Sequence, residues 1–126
     1  MADLSNPFSG YSVRDVDEAR QFYGELLGLG TREVYGMLWL TLGTGAEVLL
    51  YPKGEAHTPA SFTVLNFRVA DVPGTVAELR GRGIEFERYL GTPGQTDEDF
   101  VFRGGGPLIA WFTDPSGNVL SIVADD

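Results

Sequence analysis

The chain has no cysteine and a single histidine, His57. It can therefore form no disulfide, offers no thiol nucleophile, and can build at most one imidazole-activated serine. Basic residues are scarce as well: 9 Lys and Arg stand against 18 Asp and Glu, a formal net charge of -9. Nucleic-acid binders gather Lys and Arg into a patch, so a chain this acidic is expected to repel phosphate backbones and, equally, anionic membrane surfaces. The acidity reads as a solubility feature rather than as the mark of a cationic ligand. No apolar run approaches the length of a membrane span, and Met1 to Pro7 lacks the basic-then-apolar order of a secretory signal, so a cytoplasmic location is expected. What is present is globular in kind: 126 residues, 43% of them hydrophobic, suffice for one domain with a real core.

Local patterns divide that domain. Phe8 to Val13 reads as a strand after Pro7. Asp15 follows as an N-cap with Glu18 three residues later, a capping-box arrangement, and Val16, Ala19, Phe22, Tyr23, Leu26 and Leu27 recur at helical spacing until Gly28. Three apolar runs, Thr31 to Tyr35, Met37 to Leu42 and Ala46 to Tyr51, are separated by Gly36 and by Gly43-Thr44-Gly45, which suits an antiparallel meander. Residues 53–60 are polar, hold His57 and Pro59, and form a linker. Module one thus spans about 7–52 and module two about 61–126.

The second module echoes the first. Thr63 to Val69 is a strand, Asp71 an N-cap, and Val72, Val76 and Leu79 mark a helix ended by Gly81-Arg82-Gly83. Ile84 to Tyr89 is the next apolar stretch, followed by a loop from Gly91 to Asp99. Phe100-Val101-Phe102 fits either a short strand or part of that loop. Near the end, Asp114-Pro115-Ser116-Gly117-Asn118 reads as a hairpin turn, because Asp accepts backbone N–H groups, Pro presets φ and Gly accepts positive φ. Its flanking strands contain Trp111 and Val119 to Val123.

Strand, helix, three strands, twice over, predicts an α+β protein of two βαβββ modules whose mixed sheets curl around a central cleft. Each helix covers one sheet face, taking Tyr11 and Val13 in one module and Leu65, Phe67 and Val69 in the other. The opposite face then carries Phe8, Gly10 and Ser12, and Val64, Asn66 and Arg68. A close-packed core would not choose such small and polar residues, but a concave, partly wet surface would.

The stretches Val13 to Tyr23 with Leu26 to Leu29, Phe67 to Val72, and Ala110 to Asn118 together resemble the vicinal oxygen chelate superfamily, which includes glyoxalase I, bleomycin-resistance proteins and extradiol dioxygenases. The resemblance covers essentially the whole chain. It implies paired βαβββ modules around a cavity, commonly in a homodimer. In metal-dependent members, His, Gln or Glu residues on four strands converge on one divalent ion, and the matching positions here are Phe8, Val48, Val64 and Ser121. Phe and Val offer no lone pair, and a serine hydroxyl is a poor ligand for Zn²⁺, Ni²⁺ or Fe²⁺. No metal and no other cofactor is therefore expected. Glu47 adjoins Val48, and a one-residue displacement would return a carboxylate to that position, at the expense of turning Leu49 and Tyr51 into the cavity.

The other reactive groups carry less. His57 reads as a solvated linker residue, Asp97-Glu98-Asp99 as a solvated acidic run rather than a cation site, and Gly104-Gly105-Gly106 as a bend rather than a phosphate loop. Neither Ser116 nor Ser121 has the context of a nucleophile elbow. Aromatic residues form the strongest signal: Phe8, Trp39 and Trp111, with Tyr89, Phe100 and Phe102, can wall a planar ligand. The expected ligand site is Phe8, Trp39, Val48, Val64, Asn66, Arg68, Trp111 and Ser121, with no catalytic residue among them. The resemblance to the bleomycin-resistance branch implies sequestration of a small apolar or aromatic molecule. The competing readings are a metal-dependent lyase, isomerase or dioxygenase, and a structural protein whose cleft is filled by its own side chains.

Overall fold

The computed structural model describes residues 2–125. The chain forms two compact units, Met1–Pro59 and Ala60–Asp126. No helix among the described residues is long and apolar enough to cross a membrane.

In the first unit β1 (Ser9–Val13) leads to α1 (Val16–Arg20), then β2 (Gly30–Val34), β3 (Met37–Thr41) and β4 (Glu47–Pro52) follow, a complete βαβββ module. The mixed sheet has the order β1-β4-β3-β2, with β1 parallel to β4 and the other pairs antiparallel. Asp15 caps α1 by accepting the Asp17 N–H at 3.1 Å. Glu18, the expected partner in a capping box, takes instead the Arg14 guanidinium at 2.7 and 2.8 Å. The expected single helix to Gly28 changes its winding: residues Gln21–Leu26 are π-helical, and the Leu27 N–H reaches the Phe22 carbonyl five residues back. One extra residue per turn still leaves Phe22 and Tyr23 buried on the inner side, which is why apolar spacing alone could not reveal it.

Register decides which face of the first sheet is which. Tyr11 lies opposite Leu50, Leu50 opposite Leu38, and Val48 opposite Leu40. The Tyr11 hydroxyl donates to that of the buried Tyr23 at 2.8 Å, so this is the helix-covered face, and Leu38, Leu40, Val48 and Leu50 form its core with Val13, Ala19 and Phe22. Alternation then puts Gly10, Ser12, Trp39, Glu47, Leu49 and Tyr51 on the open face. The Val48 placement expected from the sequence is thereby corrected: Val48 is a core residue, and Glu47 is the one that faces outward. Both faces of β4 carry bulky apolar residues, so periodicity had no contrast from which to choose between them.

The second unit contains β5 (Thr63–Val69), α2 (Val72–Gly81), β6 (Ile109–Thr113) and β7 (Val119–Ala124). Its sheet order is β5-β7-β6, with β5 parallel and β6 antiparallel to β7. The first of the three strands expected after the helix, Ile84 to Tyr89, is reduced to one bridge, Phe86 against Phe112 at the free edge of β6. Phe102 likewise makes a single bridge, to Ile109, and Phe100 stands at φ +67, so residues 100–102 belong to the loop. Positive φ at Tyr89 and Phe100 interrupts what would otherwise be continuous pairing. Asp71 caps α2 through the Gly74 N–H at 3.0 Å. Leu120, Ile122, Ala110 and Phe112 fill the inner face beneath α2, together with Val72, Val76 and Leu79.

The turn at residues 114–118 is a satisfied polar knot. The buried Asp114 carboxylate accepts the Ser116 and Asn118 backbone N–H groups at 2.9 Å each and the Asn118 side-chain amide at 3.1 Å, while Gly117 takes φ +85. Every one of these donors is buried, so the carboxylate replaces the water they lose.

Candidate functional site

On the first unit's open face Phe8 and Trp39 meet edge to face, their ring centroids 4.8 Å apart at 68°. Phe8 precedes β1 and is 60% exposed, which is unusual for a phenyl ring and leaves most of its surface free. Trp39 projects from the middle of β3 opposite Arg32, whose guanidinium lies 5.1 Å from the indole centroid. Arg32 also holds Glu47 by two hydrogen bonds, at 3.0 and 3.1 Å. The Arg32 bonds draw the Glu47 carboxyl below its ordinary range, hydrogen bonding being the larger cause and charge attraction the smaller. Asn6, Phe8, Trp39, Ala46 and Glu47 line a shallow groove of about 290 Å³. Gly10 belongs on this face for a steric reason: a Cβ there would stand 2.9 Å from the Leu49 carbonyl oxygen.

Sequence reasoning left one contact of this face unseen. His57 is not simply solvated; its Nδ1 lies 2.8 Å from Ser12 Oγ. The two residues are 45 positions apart, so nothing local in the sequence joins them. Only the path of the linker, whose Lys53 and Gly54 N–H groups bond the carbonyls of Val13 and Arg14, brings the imidazole back to β1.

The second unit's open face is built around Ser121. Asn66 and Trp111 are its direct neighbours in register on either side, and side chains opposite one another share a face. The Ser121 hydroxyl is wholly buried and donates to Asn66 Oδ1 at 2.5 Å. Trp111 stands in an aromatic cluster, with Tyr89 at 5.4 Å and Phe102 at 5.7 Å between centroids. Burial pushes the Tyr89 phenol up, and the Glu87 charge adds to the shift. Arg68 is exposed on the same face, two residues beyond Asn66. Val64 is less simply placed: the register of β5 against β7 shifts between Thr63 and Leu65, leaving Val64 as the extra residue of a bulge.

The structure thus brings Phe8 to Trp39 in one unit and Asn66, Ser121 and Trp111 together in the other. It removes Val48 to the core and puts Glu47 on the open face instead. The loop that supplies Tyr89 and Phe102 is held by Asp97, the first residue of the acidic run expected to be solvated. Asp97 accepts the Asp99 and Val101 N–H groups at 2.9 and 3.0 Å and the Arg103 guanidinium at 2.6 Å, and these bonds, the Arg103 bond first, hold its carboxyl below the ordinary range. Asp97 is a loop organiser.

The donors at the four positions do not fit a divalent transition metal. Phe8 and Val64 have no lone pair, Ser121 offers only a neutral hydroxyl, a poor ligand for such an ion, and Glu47, the one anionic group, is already bound by Arg32. Among the described residues no group of three or more His, Cys, Asp or Glu side chains is arranged to hold a metal ion.

Comparison with known proteins gives this arrangement a family. In overall fold the chain is similar to an antibiotic-binding protein, TnmS3 from Streptomyces sp. CB03234 (24% identity, 99% of this chain and 100% of that one, TM-score 0.63). It is similar to a lactoylglutathione lyase from Agrobacterium tumefaciens (20% identity, 99% and 96%, TM-score 0.62) and to a Bacillus anthracis protein assigned to the glyoxalase family (21% identity, 100% of both, TM-score 0.67). Among curated proteins the chain finds no match. A family model matches residues 8–122, from the exposed Phe8 to the last core residue of β7. The chain therefore belongs to the glyoxalase/bleomycin resistance protein/dioxygenase superfamily.

Proposed function

We infer that this protein is a metal-free binding member of its superfamily, one that sequesters a small aromatic or antibiotic-like molecule on its open sheet faces. The observation behind this reading is the state of Ser121. Where metal-dependent relatives deliver a ligand, this chain has a hydroxyl that is buried and committed to Asn66. A neutral hydroxyl is a poor ligand for a divalent transition metal, and this one, by donating its hydrogen bond to Asn66, keeps that amide oriented on a face whose other members are Trp111 and Arg68. An aromatic platform with an oriented amide and a guanidinium suits a planar ligand bearing carbonyl or anionic groups. Phe8 and Trp39 provide a similar platform in the other unit. The fold similarity to an antibiotic-binding protein points in the same direction.

Isothermal titration calorimetry against planar natural products and antibiotics tests the reading. Binding in the micromolar range, about -8 kcal/mol, is expected for at least one, with Trp111→Ala weakening it about tenfold or more. Complete silence across the panel from a well-folded sample would sink it.

A metal-dependent lyase, isomerase or dioxygenase is the second reading, and the outward Glu47 is what favours it. Elemental analysis of protein purified without chelator separates the two: a stoichiometric transition metal that survives dialysis would establish the second and overturn the first. As in the wider superfamily, a homodimer in the cytoplasm is the proposed working form, open to test by sedimentation.

A further inference from the structure

Away from the open faces, the second unit holds two guanidiniums that make no ion pair among the described residues. Arg14, Arg20, Arg32, Arg82 and Arg103 all engage acidic side chains. Arg80 and Arg88 do not; each is laid on the Phe100 ring, with guanidinium carbons 4.3 and 5.3 Å from its centroid. In a chain of net charge -9, two guanidiniums sharing one phenyl ring instead of pairing with surplus carboxylates form an arrangement that calls for a reason.

Three further features make it a built site. Arg88 Nε is buried and has no hydrogen-bond partner, alone in this among buried side-chain nitrogens and oxygens of the described residues. Buried donors are nearly always satisfied, and an unmet one marks a place for an acceptor. Phe100 is held at φ +67, a conformation a phenylalanine adopts only when its surroundings impose it. They do: the Phe100 N–H bonds the Asp97 carbonyl at 3.0 Å, and Asp97 is itself fixed by Arg103 and two backbone donors. On the other side the buried Thr96 donates to the carbonyls of Glu87 and Arg88 at 3.3 and 3.2 Å, fixing the backbone from which Arg88 projects. Finally, Phe100 and Arg80 are walls of a groove of about 430 Å³, with Ile84, Phe86, Gly83 and Glu85 as the others.

We propose that this groove, at the C-terminal end of α2, binds a small carboxylic acid with an apolar body, its carboxylate taken by Arg80 and Arg88 and its body by Ile84, Phe86 and Phe100. The Nε and neighbouring Nη of an arginine form a side-on fork that matches the two oxygens of a carboxylate. Arg88 is not itself a wall of the groove but lies against the Phe100 ring that is, so a carboxylate on Arg80 reaches the Arg88 fork when that ring turns on its side-chain bonds, while the ring stays against the apolar body. A phosphate dianion is disfavoured because Glu85 lines the same groove and the whole chain is acidic. The site is separate from the faces discussed under the proposed function and stands or falls independently of them.

Titration of ¹⁵N-labelled protein with sodium benzoate, followed by NMR, tests the proposal. Saturable shifts are expected at the Arg88 Nε–H resonance and at the Gly83 and Ile84 amides. Neutral benzamide and inorganic phosphate are each expected to bind at least about tenfold more weakly. Arg88→Gln and Arg80→Gln should each weaken benzoate at least about tenfold, while Lys53→Gln, which removes one positive charge from a residue that is not among the groove's walls, leaves it unchanged. The Nε–H readout in the unmutated protein makes the result independent of whether either variant folds. Absence of saturation, equal binding of benzamide or phosphate, or shifts confined to Asn66, Trp111 and Ser121 would each overturn it.

Discussion

Ser121 and Asp97 show how much a single side chain can be bound to its surroundings. The Ser121 hydroxyl has one protein acceptor, Asn66 Oδ1, and no access to water. Ser121→Ala removes the donor but leaves Asn66 exposed and able to find water, so the loss is that of one ordinary hydrogen bond, about 1 kcal/mol, in urea unfolding. A much larger loss would mean that Ser121 also supports packing. Asp97 gives a pH dependence. Its carboxyl is drawn down in the folded protein, so the stability it contributes is present above the unfolded value of about 3.9 and is lost as pH falls through the lower folded value. Unfolding midpoints measured between pH 7 and pH 3 should therefore differ between the wild type and Asp97→Asn above about pH 4 and begin to draw together below it. Parallel curves would show that the carboxylate charge is not what holds the loop.

Among the elements, β1 and α2 make the clearest commitments. β1 runs parallel to β4 so closely at Gly10 that a Cβ would press on the Leu49 carbonyl oxygen at 2.9 Å. Backbone cannot yield as a flexible side chain can, so Gly10→Val should cost about 1–3 kcal/mol by thermal or urea unfolding. Unchanged stability would mean that the two strands separate easily. For α2, Asp71→Ala removes the acceptor of the Gly74 N–H and should cost about 1 kcal/mol. The first helix teaches a different lesson. Its stripe of Val16, Ala19, Phe22 and Tyr23 announced a helix, but the π-helical winding of residues 21–26 did not show, because an apolar stripe tolerates one added residue per turn.

For the molecule as a whole, charge is the dominant imbalance. Ion pairs among the described residues tie up part of the acidic surplus, and those of Arg14, Arg20, Arg32, Arg82 and Arg103 have side chains at least partly exposed and are therefore weak contributors. Repulsion among the remaining carboxylates is expected to prevail, so raising NaCl from about 0.01 M to about 0.15 M, which shortens the screening length from about 30 Å to about 8 Å, should raise the melting temperature. A fall would indicate that the ion pairs outweigh the repulsion. The internal repeat is the other feature on this scale. The first unit realises the full βαβββ order, whereas the second replaces one strand by the Phe86 bridge and spends the residues on a long loop. That loop carries Tyr89 and Phe102 to Trp111, and Phe100 to Arg80 and Arg88.

Sequence alone determined the features that depend on local spacing and local chemistry: both N-caps, the hairpin turn at residues 114–118, the two-module order, and the sharing of a face by Asn66 and Arg68 on β5. It also limited the donors available at Phe8, since a phenyl ring has no lone pair wherever it lies. Tertiary structure decided what depends on partners distant in the chain. The choice between Val48 and Glu47 needed the register of β4 against β1 and β3, because a strand apolar on both faces carries no internal sign of which one is covered. The Ser12–His57 contact needed the course of the linker, and the Arg80–Phe100–Arg88 cluster needed a loop whose positive φ values no periodicity reveals. Spacing along the chain encodes what a residue's neighbours in sequence can do, while a side chain's partners across a sheet or a loop exist only once the backbone has closed.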